Sequence, residues 1–241
     1  MITIDVLWAA ALGYLLGSIP IAWIVVKLWL KIDIRTVGSK NVGGRNVVRA
    51  FQAHEKPKGL AYTVGIIEAI LDMLKGFFAM WLAVWISYSF SQADPWVIAF
   101  AGSAAVLGHN WTVWLWGPGG KGVASALGSL AFFNPVFIPI WLVSFFVLGS
   151  AIMYSAITYL VSFIVMGVII FFWTWIVSPM EMFLVPADTL ELGLIVMITM
   201  FAITLVVLSR QGENFRKIKS GEAKKMKLWK IFQGKADEAM K

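Results

Sequence analysis

With 241 residues, 60% hydrophobic and 15% aromatic content against only 14% charged residues, the chain lies outside the composition of a soluble globular domain and is expected to be an all-α integral membrane protein. A spanning helix takes about 20 mostly apolar residues, which leaves room for roughly five to seven crossings in one domain and excludes a sizeable soluble one. The net charge of +7 does not point to nucleic acid, because eight of the 20 Lys and Arg fall between Lys27 and Lys58, ten between Arg210 and Lys241, and none between Gly122 and Ser209, the sorting expected of cytoplasmic loops beside an anionic leaflet.

In chain order, Ile4 to Leu30 reads as a first span interrupted at Gly17-Ser18-Ile19-Pro20, where proline removes a backbone donor and kinks the helix. With Asp5 near its start and no base before Lys27, it reads as an anchor that stays rather than a cleaved signal. Residues 31 to 58 form a long polar loop ending in a solvated linker, His54 to Lys58. The second span, Leu60 to Phe90, carries Glu68, Asp72 and Lys75, whose i, i+4, i+7 spacing puts all three on one helix face. Ionisable groups at membrane depth normally face protein or a wet cavity. Two readings stand: a trio facing the same cavity as the loop motifs, or an Asp72 to Lys75 pair that neutralises itself.

Ser91 to Pro95 makes an outer turn and Trp96 to Leu107 a third span. The loop His109 to Gly122 holds Trp111, Trp114 and Trp116, placed as a headgroup belt. From Gly122 to Val177 the chain is apolar, broken by Asn134-Pro135 and by Gly149-Ser150 with Tyr154-Ser155. These breaks predict spans near 123–134, 135–149 and 152–177, the first two short. Fusing 123–149 into one span would separate the two basic regions across the bilayer, so the split is preferred. Ser178 to Glu191 contains three acids and no base, as an outer loop should, and the last span covers about Leu190 to Leu208. The expected architecture is thus about seven transmembrane helices with short or broken helices around 123–149, the N-terminus outside and the C-terminus inside. Residues 1–210 form one transmembrane domain, and 211–241 a basic cytoplasmic tail whose Lys224 to Phe232 stretch suits a membrane-surface helix.

Three polar segments then share the cytoplasmic side: Gly38 to Arg49, Gly108-His109-Asn110 with Gly119 to Gly122, and Arg210 to Asn214. Gly119-Gly120-Lys121-Gly122 opens a helix, so free backbone N–H groups, glycines that allow close approach, and the Lys121 charge suit a phosphate. Ser39, Asn41 and Arg49 offer hydroxyl, amide and guanidinium groups, the last suited to bidentate phosphate capture. His109 is the candidate proton acceptor near neutral pH. Glu213 and Asn214 add a carboxylate and an amide. No metal-ligand spacing and no GxxxxGK[ST] motif can be assembled, and with no cysteine neither a disulfide nor a thiol nucleophile is available. The residues alone point to a phosphate-handling membrane site without a cofactor.

The ordered motifs Gly17-Ser18-Ile19-Pro20, Asp33-Ile34-Arg35, Gly38-Ser39, Asn46 to Arg49, Leu71 to Gly76, Gly108-His109-Asn110 and Gly119 to Ala124 resemble the acyl-phosphate-dependent glycerol-3-phosphate acyltransferases of the PlsY type, over about residues 13 to 225. The resemblance implies a seven-span enzyme of the cell membrane with its site at the cytoplasmic face. It implies acyl phosphate, glycerol 3-phosphate and membrane lipids as partners, with no nucleic acid and no cofactor. Ser39, Arg49, His109 and Asn214 are then the catalytic candidates. Asn41, Gly119, Gly120, Lys121, Gly122, Asp72 and Lys75 are the substrate-binding ones. The chain departs from the family pattern GSGNIGATN at Lys40 and Arg45, which add two positive charges, and from HRxN at Gln211 and Gly212, which remove a histidine and an arginine. The added bases are expected to compensate for the charge missing at Gly212. A non-catalytic relative that binds lipid phosphate or a partner protein is the second reading; a transporter built on Glu68, Asp72 and Lys75 is the third.

Overall fold

The computed structural model describes residues 4–90, 94–176, 189–223 and 225–226. Helix α1, Ile4–Ser18, stops where Pro20 cannot continue the ladder, and α2, Ile21–Leu30, restarts beyond it and ends on Lys31 in the left-handed region. Then follow α3 (Gly44–Ala53), α4 (Lys58–Phe90), α5 (Pro95–Asn110), α6 (Val123–Phe133), α7 (Phe137–Ile152), α8 (Ser155–Ile176), α9 (Thr189–Ser209) and α10 (Gly212–Lys219). Asp94 caps α5 by accepting the Trp96 N–H at 2.8 Å, with Pro95 in the first turn, where its missing donor costs nothing. The only sheet pairing among the described residues is a two-residue antiparallel bridge, Trp111–Thr112 with Gly117–Pro118.

Apolar side chains cover the outside as well as the inside. Leu7, Trp8, Trp85, Phe172 and Phe201 are each more than half exposed, as helices facing lipid rather than water should be. Inside, contact between helices rests on small residues. Gly17 of α1 lies against the Ala105 backbone of α5, Gly108 against Tyr14, and Gly128 of α6 against Met73 of α4, each so close that a β-carbon would overlap main chain. Such small-residue contacts let helices approach where no hydrophobic effect drives them together. The chain is an all-α membrane protein. Ile4–Leu30, Lys58–Ser89 and Ser155–Phe172 are long and apolar enough to cross a bilayer, and α9, bent by 58° into α10, makes a fourth. Val123–Phe133 and Phe137–Ile152 are short apolar helices, as the breaks in the sequence predict.

Three local expectations are corrected. The polar loop 31–58 contains α3, because Val47, Ala50 and Phe51 at helical spacing bury one face beside α4, with Phe51 edge-on to Trp29 at 5.4 Å. His109 and Asn110 belong to the last turn of α5 rather than to the following loop. The second break after Gly122 falls at Met153, which takes a positive φ of 63° and accepts a hydrogen bond from Met226 N at 2.6 Å, while Gly149 and Ser150 stay helical. Of the outer turn 91–95, only Asp94 and Pro95 lie among the described residues, and of the acidic loop 178–191 only 189–191; of the surface segment 224–232, only 225 and 226 do. Lys225 there sits 6.0 Å over the Tyr154 ring.

Candidate active site

The loop between α2 and α3 is built around one amide. Asn46, 1% exposed, donates from Nδ2 to the Ile34 and Val37 carbonyls at 3.0 and 3.1 Å and accepts the Ser39 N–H at Oδ1 at 2.9 Å. Three main-chain groups of the turn are thereby satisfied by a single side chain. Gly38 turns with φ 56° against the Asn46 amide and the Arg49 side chain. Lys40, at φ 57°, occupies a left-handed position that costs a side-chain-bearing residue about 1–2 kcal/mol, which explains why the family pattern has glycine there. Ser39 is left exposed, with Arg49 half-buried one turn into α3 and Asn41 beside Gly43.

Beneath this loop lies a buried polar cluster. Glu68, Asp72 and Lys75 do share one face of α4 and are 1%, 3% and 5% exposed. Lys75 Nζ stands 2.9 Å from Asp72 Oδ1 and donates to the Ile19 carbonyl at 2.9 Å, where Pro20 leaves that carbonyl outside the α1 ladder. His109 Nδ1 lies 3.5 Å from Asp72 Oδ2. The Glu68 carboxyl abuts Gly44 at the start of α3. Both proposed readings of the trio therefore hold in part: Asp72 and Lys75 pair, and with Glu68 and His109 they line a small cavity of about 10 Å³ together with Ser18, Thr112, Gly119 and Gly120.

The glycine turn forms the roof of that cluster. Gly120 N donates to the His109 carbonyl at 2.9 Å and Gly119 N to the Asn110 carbonyl at 3.0 Å. Gly120 presses on His109 Nε2 so closely that no β-carbon fits. Gly122, at φ 76°, hands the chain to α6, and Asn110 Nδ2 ties α5 to α9 through the Val206 carbonyl at 2.7 Å. His109 is 7% exposed and enclosed by Asp72 and Gly120, so its ring supports the turn from below.

Above the turn positive charge predominates. Arg210 reaches the Gly120 and Gly119 carbonyls at 3.3 and 3.4 Å and lies 5.9 Å over the Trp111 ring. Burial, reinforced by Arg45, pushes the Arg49 pKa down. Lys121 is held at about 8, chiefly by burial, with Arg45, Arg210 and Lys217 acting the same way and Glu213 opposing them. Among the described residues, no carboxylate stands within ion-pair distance of Arg45, Arg49, Lys121 or Arg210; Glu213 pairs with Lys217 instead. Asn214 donates to Gln211 Oε1 at 2.6 Å, and Gln211 is 1% exposed, so these two face each other at the bend before α10. Gly212 stands in open space.

The structure therefore sets the loop after α2 against the glycine turn through Val42 O at Gly120, with Ser39 in that loop and Arg49 on α3 behind it, sets His109, Asp72 and Lys75 behind the turn, and directs Asn214 towards Gln211. Sequence reasoning missed Asn46 and Arg210 as site builders. Asn46 is detectable as the lone amide on the apolar face of α3, and Arg210 as the first base after the base-free run Gly122 to Ser209.

The family description "Glycerol-3-phosphate acyltransferase" matches residues 7–221. The glycerol-3-phosphate acyltransferase of Endomicrobium trichonymphae is 35% identical over 219 residues, covering 90% of this chain and 94% of that protein. That of Campylobacter concisus is 38% identical over 154 residues, covering 64% and 72%. The crystal structure of PlsY (YgiH), an integral membrane glycerol 3-phosphate acyltransferase, in its glycerol 3-phosphate form superposes with a TM-score of 0.71 at 26% identity, covering 94% of this chain and 98% of that one. In sequence over nearly its whole length and in fold, this chain belongs to the glycerol-3-phosphate acyltransferase family.

Proposed function

We propose that the chain transfers a fatty acyl group from acyl phosphate to the sn-1 hydroxyl of glycerol 3-phosphate, giving lysophosphatidic acid and inorganic phosphate. The observation that carries this reading is the pair of cations at the glycine turn, Lys121 within it and Arg210 on its carbonyls, with Arg45 near enough to act on Lys121 and none of the three paired with a carboxylate among the described residues, at one end of an apolar bundle. Guanidinium and ammonium groups without a carboxylate partner suit phosphate, and the lipid-facing helices suit an acyl tail; the Gly119 and Gly120 N–H groups, expected from the sequence to be free donors, are taken by the Asn110 and His109 carbonyls.

The acyl phosphate is already activated, so one displacement suffices. The sn-1 oxygen bonds to the acyl carbonyl carbon, the carbon–oxygen bond to phosphate breaks, and the hydroxyl proton leaves with the departing phosphate. Ser39, on the exposed turn, and Arg49 stabilise the charge developing on the carbonyl oxygen and the leaving group, while Lys121 and the turn Gly119 to Gly122 hold the acceptor's phosphate. Positioning supplies much of the rate. Asn41 and Asn214 lie at the margin as further hydrogen-bonding groups. Asp72, Lys75 and His109 act through the turn they support; in this scheme His109 positions Gly120 rather than taking the proton. No metal or cofactor enters the scheme.

The site faces the cytoplasm and the N-terminus lies outside the cell membrane in this proposal, because the basic residues gather in the segments 27–58 and 210–241. Residues 1–210 form the catalytic domain and 211–241 a tail whose first helix, α10, closes one side of the site. Labelling of single cysteines placed at Lys40 and Asp188 tests the topology: opposite sides are expected, and the same side would overturn it. The reaction is tested with purified protein, palmitoyl phosphate and radiolabelled glycerol 3-phosphate. Label should enter lysophosphatidic acid, and Ser39→Ala and Arg49→Ala should each lower turnover by at least about 100-fold, as loss of a transition-state donor does. Incorporation no greater than without protein sinks the proposal, and glycerol 3-phosphate binding without turnover would favour the non-catalytic reading.

A further inference from the structure

One cation of the rim has a built anchor that the proposed reaction does not use. Arg45 and Arg49 stand four residues apart on α3, hence on the same helix face, where like charges repel. Arg45 is exposed, yet its guanidinium is fixed: Nη1 donates to the Tyr159 hydroxyl of α8 at 3.2 Å. Tyr159 in turn is stacked against Trp141 at 6.0 Å and Phe145 at 5.2 Å, with interplanar angles of 15°. An aromatic ladder on α7 and α8 thus holds in place a charge that begins on α3. Because that ladder is already closed by ring stacking, the Arg45 contact adds little to holding α8. One N–H goes to Tyr159, leaving the remaining donors of the fork free.

From this position Arg45 acts electrostatically on both Arg49 and Lys121. The groups acting with it are Tyr159, to which it donates, Arg49 on its own helix and Lys121 on the glycine turn, where Arg210 and Lys217 also act. Glu213, the acid of this neighbourhood, pairs with Lys217. Fixing another positive charge beside two unpaired ones is unfavourable in the free protein unless an anion joins them.

We propose that Arg45, anchored by Tyr159, is a specificity-determining residue that contacts the phosphate of the acceptor, shared with Lys121, and so selects a phosphorylated acceptor over a neutral one. The acceptor's phosphate is chosen over the donor's because the loop leading into Arg45 packs on the turn assigned to the acceptor, Val42 O lying against Gly120, and Arg45 acts there on Lys121. The inference rests on the reaction proposed above, and its test keeps the two separate.

Steady-state kinetics are measured for the wild type, Arg45→Thr, Arg45→Lys and Tyr159→Phe, varying glycerol 3-phosphate and palmitoyl phosphate in turn, with glycerol as the neutral acceptor. Loss of one charge-assisted contact predicts about a tenfold rise in KM for glycerol 3-phosphate in Arg45→Thr. Palmitoyl phosphate KM, kcat and the rate with glycerol should stay within about twofold. Arg45→Lys should recover part of the loss, and Tyr159→Phe should raise the acceptor KM about threefold by freeing the guanidinium. An unchanged acceptor KM, or an equal rise for both substrates, overturns the proposal. If the wild type shows no turnover, the reaction falls while Arg45 is still tested: calorimetric glycerol 3-phosphate binding about tenfold weaker in Arg45→Thr supports it, and equal binding sinks it.

Discussion

Lys75 and Lys121 lie on opposite sides of the same glycine turn and meet opposite surroundings. Below the turn, Lys75 is 5% exposed, paired with Asp72 at 2.9 Å and bonded to the Ile19 carbonyl; these two charges answer one another, while the buried Glu68 carboxyl beside them has no hydrogen-bond partner among the described residues. Above it, Lys121 has Arg45, Arg210 and Lys217 for neighbours, and Glu213 is already engaged by Lys217. A buried charge is tolerable only when paired, so the Asp72–Lys75 pair is read as architecture. An unpaired, partly accessible set of like charges is unfavourable until an anion arrives, so the upper set is read as the binding surface. Charged residues near a site thus divide by whether their partners belong to the protein.

The largest effect should come from breaking the lower cluster. Asp72→Ala removes the partner of both Lys75 and His109, and leaving a buried charge uncompensated costs about 3–5 kcal/mol. Thermal unfolding in detergent should show a large fall in Tm together with loss of activity. Asp72→Asn combined with Lys75→Met removes both charges and should recover a substantial part of the lost Tm, because the cost of a broken buried pair is chiefly the uncompensated charge it leaves. A double variant no more stable than Asp72→Ala would show that the pair is not self-contained and that the comparison with Lys121 is drawn in the wrong place.

The division was only partly visible in the sequence. Spacing placed Glu68, Asp72 and Lys75 on one helix face, and helical period is a local property that survives folding. What period cannot reveal is the partner contributed by another helix. His109 reads as a loop residue beside three tryptophans, yet α5 continues through Asn110 and turns the imidazole onto Asp72. The segment 31–58 reads as polar because its charged and polar residues together outnumber its apolar ones, and the short face of Val47, Ala50 and Phe51 that folds α3 beside α4 is diluted among them. The breaks at Pro20 and Asn134-Pro135 were legible because proline acts on its own backbone. The turn at Met153 was not, since methionine carries no local signal for a positive φ. Arg45 and Tyr159, 114 positions apart, meet through a tertiary contact that no motif encodes.

The smaller effect concerns the upper set and is read in pH. A lysine normally titrates near 10.5, and burial together with its cationic neighbours brings Lys121 down to about 8. Its ammonium is therefore charged below that value and lost as pH rises through it. In the proposed site the acceptor phosphate binds the charged form, so KM for glycerol 3-phosphate should be flat from pH 6.5 to 7.5. It should then climb about tenfold per unit beyond pH 8, the limiting slope for one proton. Lys121→Arg should flatten the profile, because a guanidinium keeps its proton throughout this range. Arg45→Thr removes one of the charges that depress Lys121 and should move the inflection to higher pH, even as it raises KM at every pH. An inflection that stays near pH 8 in Arg45→Thr would mean that burial and the remaining charges, not Arg45, set the Lys121 pKa. The cations above the turn would then be separate contacts rather than one shared field.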